Sequence, residues 1–146
     1  MDNVSDPTSN IGEAQLEWLS ADLKRQSKDS RIVVFTHRPL FDLYPDWDWY
    51  TRDGAKATEL LKPYSNVTVF YGHIHQEHHN KTGKIIHNAA KGLMFPLPAP
   101  GSVPVKNPIP WDAATPYKGL GFRSVEVKSK QTEYGITEFG VKGEKL

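Results

Sequence analysis

No cysteine occurs among the 146 residues. That excludes disulfides, thiolate zinc sites and cysteine nucleophiles together. It leaves the compartment open, since a cysteine-free chain functions on either side of a membrane. Neither sign of charge dominates: 18 basic residues stand against 17 acidic ones, a formal net of +1. The balance carries no nucleic-acid-binding signature and no mark of an anionic membrane surface. No apolar run approaches the ~18 residues of a membrane span. The first ten residues hold neither a basic n-region nor an apolar h-region, so they do not read as a signal peptide. Internal repeats are lacking too. With 38% hydrophobic and 24% charged residues, a chain of this length suits one domain with a modest core.

What the chain does hold is a series of short, well-punctuated segments. A polar, turn-like opening leads to Asn10, and Glu13 follows three residues on. That spacing predicts a capping box with an amide in place of the usual hydroxyl. Leu16, Leu19 and Leu23 then fall on one helical face at i, i+3 and i+7, with Trp18 at its border. Lys24, Arg25 and Lys28 suit the negative end of that helix dipole, and residues 26–30 read as the exit loop. Residues 31–35 (RIVVF) form a β-branched run of the kind buried on both faces of a parallel sheet, closed by Thr36-His37-Arg38-Pro39. An aromatic and aspartate-rich loop occupies residues 41–50. Residues 53–61 turn helical, and Pro63 ends them. A second strand-like run, residues 67–71, delivers Gly72-His73-Ile74-His75. Strand, helix and strand within about forty residues predict a βαβ crossover with parallel strands.

Beyond Lys84-Ile85-Ile86-His87 the character changes. Pro96, Pro98, Pro100, Pro104, Pro108 and Pro110 forbid regular helix or sheet and predict an irregular surface excursion. Residues 121–127 and 132–139 alternate on either side of a linker at 128–131, which predicts a C-terminal hairpin.

The six histidines are not scattered. His37 and His73 each stand two residues beyond the end of a predicted strand, after Phe35 and Tyr71. Ligands of open α/β sheets gather at the carboxyl ends of the strands. Adjacent strands lie ~4.8 Å apart, a span that two imidazoles can share around one ion bonded at ~2.0–2.1 Å. His37 and His73 are therefore candidate ligands of one metal, and His75 reaches a neighbouring position on the same rim. Gly72 predicts a close backbone approach there. One histidine after one strand is ordinarily a surface or capping residue; repetition across a single crossover singles this pair out. His78 and His79 read as solvated loop residues or partners of the ligands, and His87 as a structural residue of a strand.

Together, Val33-Val34-Phe35-Thr36-His37-Arg38-Pro39 and Tyr71-Gly72-His73-Ile74-His75 resemble the penultimate ligand strand and the terminal GHxH motif of the calcineurin-like metallophosphoesterase superfamily. Residues 15–23 resemble the helix that precedes the first of these. The resemblance covers residues 11–90 and extends to the final hairpin. It implies an α/β fold, a partial αββα metallophosphoesterase sandwich. Residues 11–90 would be its metal-ligand βαβ core, 91–120 a Pro-rich excursion and 121–140 a β-hairpin. It also implies a hydrolase of phosphomonoesters or phosphodiesters that uses two divalent metal ions and a metal-activated water. His37 and His73 carry over as ligands of one ion and His75 as a ligand of the other; nitrogen and oxygen donors admit Mn, Fe, Zn, Co or Ni.

The family pattern begins with D-x-H, G-D and G-N-H motifs, and none of them occurs here. Its proton donor and metal-bridging carboxylate therefore have no counterpart, and catalytic and substrate-binding residues stay unassigned. The resemblance makes residues 1–146 the C-terminal portion of such a domain, inactive alone. Its expected partners are a phosphate-ester substrate and either the missing N-terminal half or a second chain.

Arg38 could steer an anionic ester. Tyr44, Trp47, Trp49 and Tyr50 could stack on a base or sugar, or pack their own loop onto the core. Two other readings stand beside this one. The first is a non-catalytic metal-binding or assembly module. The second is a metallo-β-lactamase-like hydrolase, because His73-Ile74-His75-Gln76-Glu77-His78 nearly spells H-x-H-x-D-H; that family's downstream histidine has no match beyond His87. The Pro-rich tract at 95–101 resembles a segment of some exported bacterial members. That tract hints at an extracytoplasmic parent; Asn3, Asn66 and Asn80 open Asn-x-Ser/Thr sequences compatible with secretion, although Asn66 leads into a predicted buried strand where a glycan would not fit.

Overall fold

The computed structural model describes residues 1–127 and 134–146. The chain divides into two compact units, Met1–His73 with His79–Asn88, and Ile74–His78 with Ala89–Leu146.

In the first unit, helix α1 (Glu13–Leu23) buries Leu16, Leu19 and Leu23, the face that the spacing predicts, and leaves Trp18 exposed. The expected capping box is not formed. The helix enters through Gly12 at φ 85° with no side-chain cap. Asp53 instead accepts hydrogen bonds from the Ile11 and Gly12 amides at 2.8 and 2.9 Å. A carboxylate at the positive end of the helix satisfies these orphan amides with more electrostatic gain than the Asn10 amide could offer.

Strand β1 (Arg31–Phe35) runs parallel to β2 (Asn66–Tyr71), in register from Arg31↔Asn66 to Phe35↔Phe70. Between them in the chain lies α2 (Gly54–Leu61), completing the predicted βαβ crossover. Gly54 opens that helix against the backbone of Leu40, where a Cβ would stand 2.5 Å from the Leu40 carbonyl oxygen. Only glycine lets the helix begin there. Leu16, Leu19, Val34, Leu61, Val67 and Val69 belong to one buried cluster between the helices and one face of the sheet. Each such side chain removed from water contributes roughly 1.5–3 kcal/mol.

The sheet has the order β1-β2-β4-β3, with β3 (His78–Thr82) and β4 (Ile85–Ala89) joined across residues 83 and 84. Two expectations change here. β1 is an edge strand with only one face covered: Val34 is buried, whereas Val33 is 39% and Phe35 67% exposed. His78 and His79 stand on β3 rather than in a loop. The sequence HHNKT has no apolar period because an outer strand can be polar on both faces.

In the second unit, residues 91–120 contain neither helix nor strand, as the prolines predict. Strands β5 (Gly121–Glu126) and β6 (Gly135–Gly140) form the expected antiparallel hairpin, paired from Gly121↔Gly140 to Glu126↔Gly135. The expected linker at 128–131 and the first two residues of the second predicted segment lie outside the described residues. The architecture is thus mixed α/β, a four-stranded sheet and a two-stranded one. No helix among the described residues is long and apolar enough to cross a membrane.

Candidate functional site

The parallel ladder continues past the formal ends of β1 and β2. Thr36 donates its amide to Phe70 O at 3.0 Å, and Gly72 donates to His37 O at 2.9 Å. Backbone bonds thereby hold His37 beside the Gly72–His73 peptide. The turn that follows is fixed by Thr36, whose hydroxyl donates to Arg38 O at 2.8 Å.

Asn3, fully buried, completes the clamp. Its Oδ1 accepts from the amides of His37 and Arg38 at 3.1 and 3.2 Å. Its Nδ2 donates to Arg38 O at 3.1 Å and to Thr51 Oγ1 at 2.8 Å. Thr51 in turn donates to Pro39 O at 2.7 Å. Sequence reasoning treats Asn3 only as a glycan acceptor, and the fold spends its amide nitrogen elsewhere. No local spacing could reveal this role, because the partners lie 34 to 48 positions away.

His37 and His73 meet. His37 Nε2 and His73 Nδ1 are 3.1 Å apart, with ring centroids at 5.0 Å and planes at 71°. On its other side, His73 Nε2 lies 3.0 Å from Arg38 Nη1 and 3.5 Å from Asp48 Oδ2. Arg38 Nη1 also donates to Asp48 O and Asp48 Oδ2, both at 2.7 Å. Burial pulls the Arg38 guanidinium below its usual range, with Tyr50 acting in the opposite direction. The group stays charged, as arginine does in proteins.

Nη1 carries two hydrogens and faces three acceptors, so two proton arrangements fit. In one, Arg38 donates to His73 Nε2, and His73 Nδ1–H donates to His37. In the other, both Nη1 hydrogens go to Asp48, His73 carries its proton on Nε2 toward the Asp48 carboxylate, and the His73 Nδ1 lone pair faces His37. The second arrangement is the one a metal ligand needs, with a carboxylate beyond the imidazole fixing its tautomer. Neighbouring ligand nitrogens of one ion bonded at ~2.0–2.1 Å lie about 3–3.4 Å apart, so the observed separation suits a shared cation.

The backbone carries a second mark. Asp48, His73 and His75 have φ of 56°, 67° and 53°, in the left-handed region that non-glycine residues seldom enter. Such conformations persist where the fold over-determines them, and they cluster at functional sites. Gly72 proves ordinary: a Cβ there would meet His37 O at 3.8 Å, van der Waals distance, so the expected close approach is not what places the histidines.

Asp48 owes its position to its neighbours. Trp47 and Trp49 are buried and meet edge-to-face at 5.2 Å, and Tyr44 packs on Trp47 at 5.0 Å. The two tryptophans therefore anchor the loop onto the core, and neither is a platform for a base or sugar. Asp48 was not singled out from sequence, although its place between two tryptophans is a usable signal.

His75 belongs to the second unit. Its Nδ1 lies 2.7 Å from Phe95 O, and its ring packs on Phe95 with centroids 4.6 Å apart. A backbone carbonyl there fixes the Nδ1–H tautomer and leaves the Nε2 lone pair for another partner. Gln76 beside it donates to Leu97 O at 3.1 Å and Pro98 O at 2.5 Å. His79 Nδ1 pairs with Asn88 Oδ1 at 2.6 Å. His87 on β4 is fully buried against Phe41, ring centroids 5.1 Å apart, and neither of its nitrogens has a hydrogen-bond partner among the described residues.

Among the described residues, no three histidine, aspartate or glutamate side chains are grouped so as to hold a metal ion. No family model matches the chain, and no curated protein matches it.

Proposed function

We propose that this chain is the metal-binding C-terminal portion of a metal-dependent phosphoesterase of the calcineurin-like kind, built on part of an αββα sandwich. The observation that carries the reading is the 3.1 Å between His37 Nε2 and His73 Nδ1, at the carboxyl ends of adjacent parallel strands. His37 and His73 would hold one divalent ion, and the resemblance gives His75 to a second. A divalent ion bound there supplies a Lewis acid for a phosphoryl oxygen and lowers the pKa of a water.

The chain's own residues do the positioning. Asn3 and Thr36 fix the backbone that carries His37. In the arrangement that leaves Nδ1 unprotonated, Asp48 Oδ2, 3.5 Å away, would accept from His73 Nε2–H, and the Nδ1 lone pair would face His37. Phe95 O holds His75 with Nε2 available. Two imidazoles supply two donors of the four an ion such as zinc takes, so the remaining ligands come from water or another polypeptide. On this reading the isolated chain binds metal and turns over little or no substrate.

The test is metal content of the purified chain, by elemental analysis after loading with Mn or Zn and dialysis. About one ion per chain, lost in the His37→Ala, His73→Ala double variant, is expected. A folded sample that retains no ion sinks the reading and leaves a non-catalytic module. Hydrolysis of an aryl phosphate is expected only when a polypeptide carrying the absent motifs is added.

A further inference from the structure

We infer that a cavity of about 400 Å³ in the Pro-rich stretch is a binding site for an uncharged aromatic group of a small molecule. It lies between residues 94–96 and residues 109–120, all within one compact unit. Small-molecule sites are concave spaces of ~300–1,000 Å³ with mostly apolar walls. Met94, Ile109 and Trp111 are exposed residues that converge on this space, beside Phe95 and Leu120. A lone exposed apolar side chain is ordinary, whereas several around one concavity mark a binding surface. The indole and phenyl rings, with the Met94 thioether, favour an aromatic guest over an aliphatic one. The two charged residues of the lining, Asp112 and Lys118, are opposite in sign. Asp112 is also engaged within its own loop, accepting from the Ala114 amide at 2.9 Å and the Thr115 hydroxyl at 3.0 Å. The lining thus carries no net charge to offset that of a buried ion, which selects an uncharged guest.

The walls are held by the chain itself. Ile109 donates its amide to Pro96 O at 3.0 Å. Gly119, at φ 80°, lies so close to Pro96 that a Cβ would stand 2.9 Å from the proline Cβ. Pro96, Pro110 and Pro116 each fix their own φ. Binding there freezes little further motion. Phe95 joins the cavity to His75. It lines the space, its ring packs on the imidazole with centroids 4.6 Å apart, and its carbonyl lies 2.7 Å from His75 Nδ1. The aromatic group is therefore assigned to the alcohol part of the phosphate ester. That last step rests on the function proposed above; the cavity and its guest do not.

The experiment is a titration of the full, metal-free chain, labelled with ¹⁵N and at the methionine methyls, with naphthylethanol. The Trp111 indole N–H and the Met94 methyl, assigned through bonds, should shift saturably. The indole of Trp18, exposed on α1, should not. The fully saturated analogue, and a Trp111→Ala variant read at Met94, should each show binding weakened about tenfold. If that variant does not fold, the wild-type resonances decide alone. No saturable shift, an equal shift at Trp18, or undiminished binding in a folded Trp111→Ala overturns the site. Equal binding of the saturated analogue overturns its aromatic preference. Movement of Trp111 on dilution without the probe places a second copy in the cavity and also overturns the inference. Hydrolysis then tests the ester, with a polypeptide carrying the absent motifs added. There kcat/KM for naphthylethyl phosphate should exceed that for ethyl phosphate about tenfold, and equal values overturn the assignment to substrate. If neither ester is hydrolysed, the function proposed above fails and takes that assignment with it, while the metal-free titration still decides the cavity.

Discussion

In Met1–His73 with His79–Asn88, one contiguous cluster of buried, mostly aliphatic side chains forms, in which Leu61 and Val69 are wholly covered. In Ile74–His78 with Ala89–Leu146, Met94 and Trp111 stand 80% and 73% exposed, and Leu93 and Val105 are little better covered. There Arg123 and Glu138 form a cross-strand ion pair with side chains only 4% and 10% exposed. The first unit is thus organised by the hydrophobic effect, which is non-directional and tolerant. The second leans on a directional polar contact that fails when either partner is lost. The closely spaced pair His37–His73 sits in the first unit, just beyond the paired ends of β1 and β2.

The largest effect that could break this contrast is in the hairpin. Glu138→Ala leaves a buried guanidinium uncompensated and is expected to cost about 3–5 kcal/mol, whereas Arg123→Leu with Glu138→Leu is expected to regain most of it. Hydrogen exchange of the β5 and β6 amides reads both. A single-variant loss below ~1 kcal/mol, the range of an exposed pair, would abolish the distinction between the units.

A smaller effect sharpens the account of the first unit. Burial pushes His87 down to about 4, from an ordinary 6.5. The unfolded chain then takes up this proton before the folded one does. The contribution is complete above pH 6.5 and is lost as pH falls toward 4, by up to about 3 kcal/mol. Urea unfolding across that interval should show the slope, and His87→Leu should flatten it. A wild-type curve already flat there would mean that the imidazole is not buried neutral.

The smallest effect tests the strained turn. His73→Ala keeps a Cβ at φ 67°, and His73→Gly does not. The glycine variant should be the more stable of the two by about 1 kcal/mol in thermal unfolding, although both lose the imidazole. Equal stability would show that the turn relaxes when the ring is removed.

The elements that write themselves locally were legible. Leu16, Leu19 and Leu23 share a helical period, RIVVF and residues 67–71 are β-branched runs, and the alternation at the C-terminus names a hairpin. His37 and His73 stood out because each follows its strand by the same two residues. What stayed hidden is polar and long-range. Asp53 binds the Gly12 amide at the entry to α1 from 41 positions away. Asp48 reaches His73 across 25 residues of chain, and β3 hides because an edge strand needs no apolar pattern. Positive φ at His73 and His75 was also out of reach, because non-glycine residues seldom adopt it and no local pattern marks it.

The clamp around Asn3 has a consequence for anyone who would move the site elsewhere. A segment of residues 31–75, transplanted into another scaffold, carries the three ligand candidates along with Arg38 and Asp48, and every local feature of the turn. It omits the one side chain that binds the amides of His37 and Arg38 and the carbonyl of Arg38 at once. The register of the two imidazoles is therefore a property of chain closure between residue 3 and residue 51. A graft would have to import a surrogate carboxamide together with the loop.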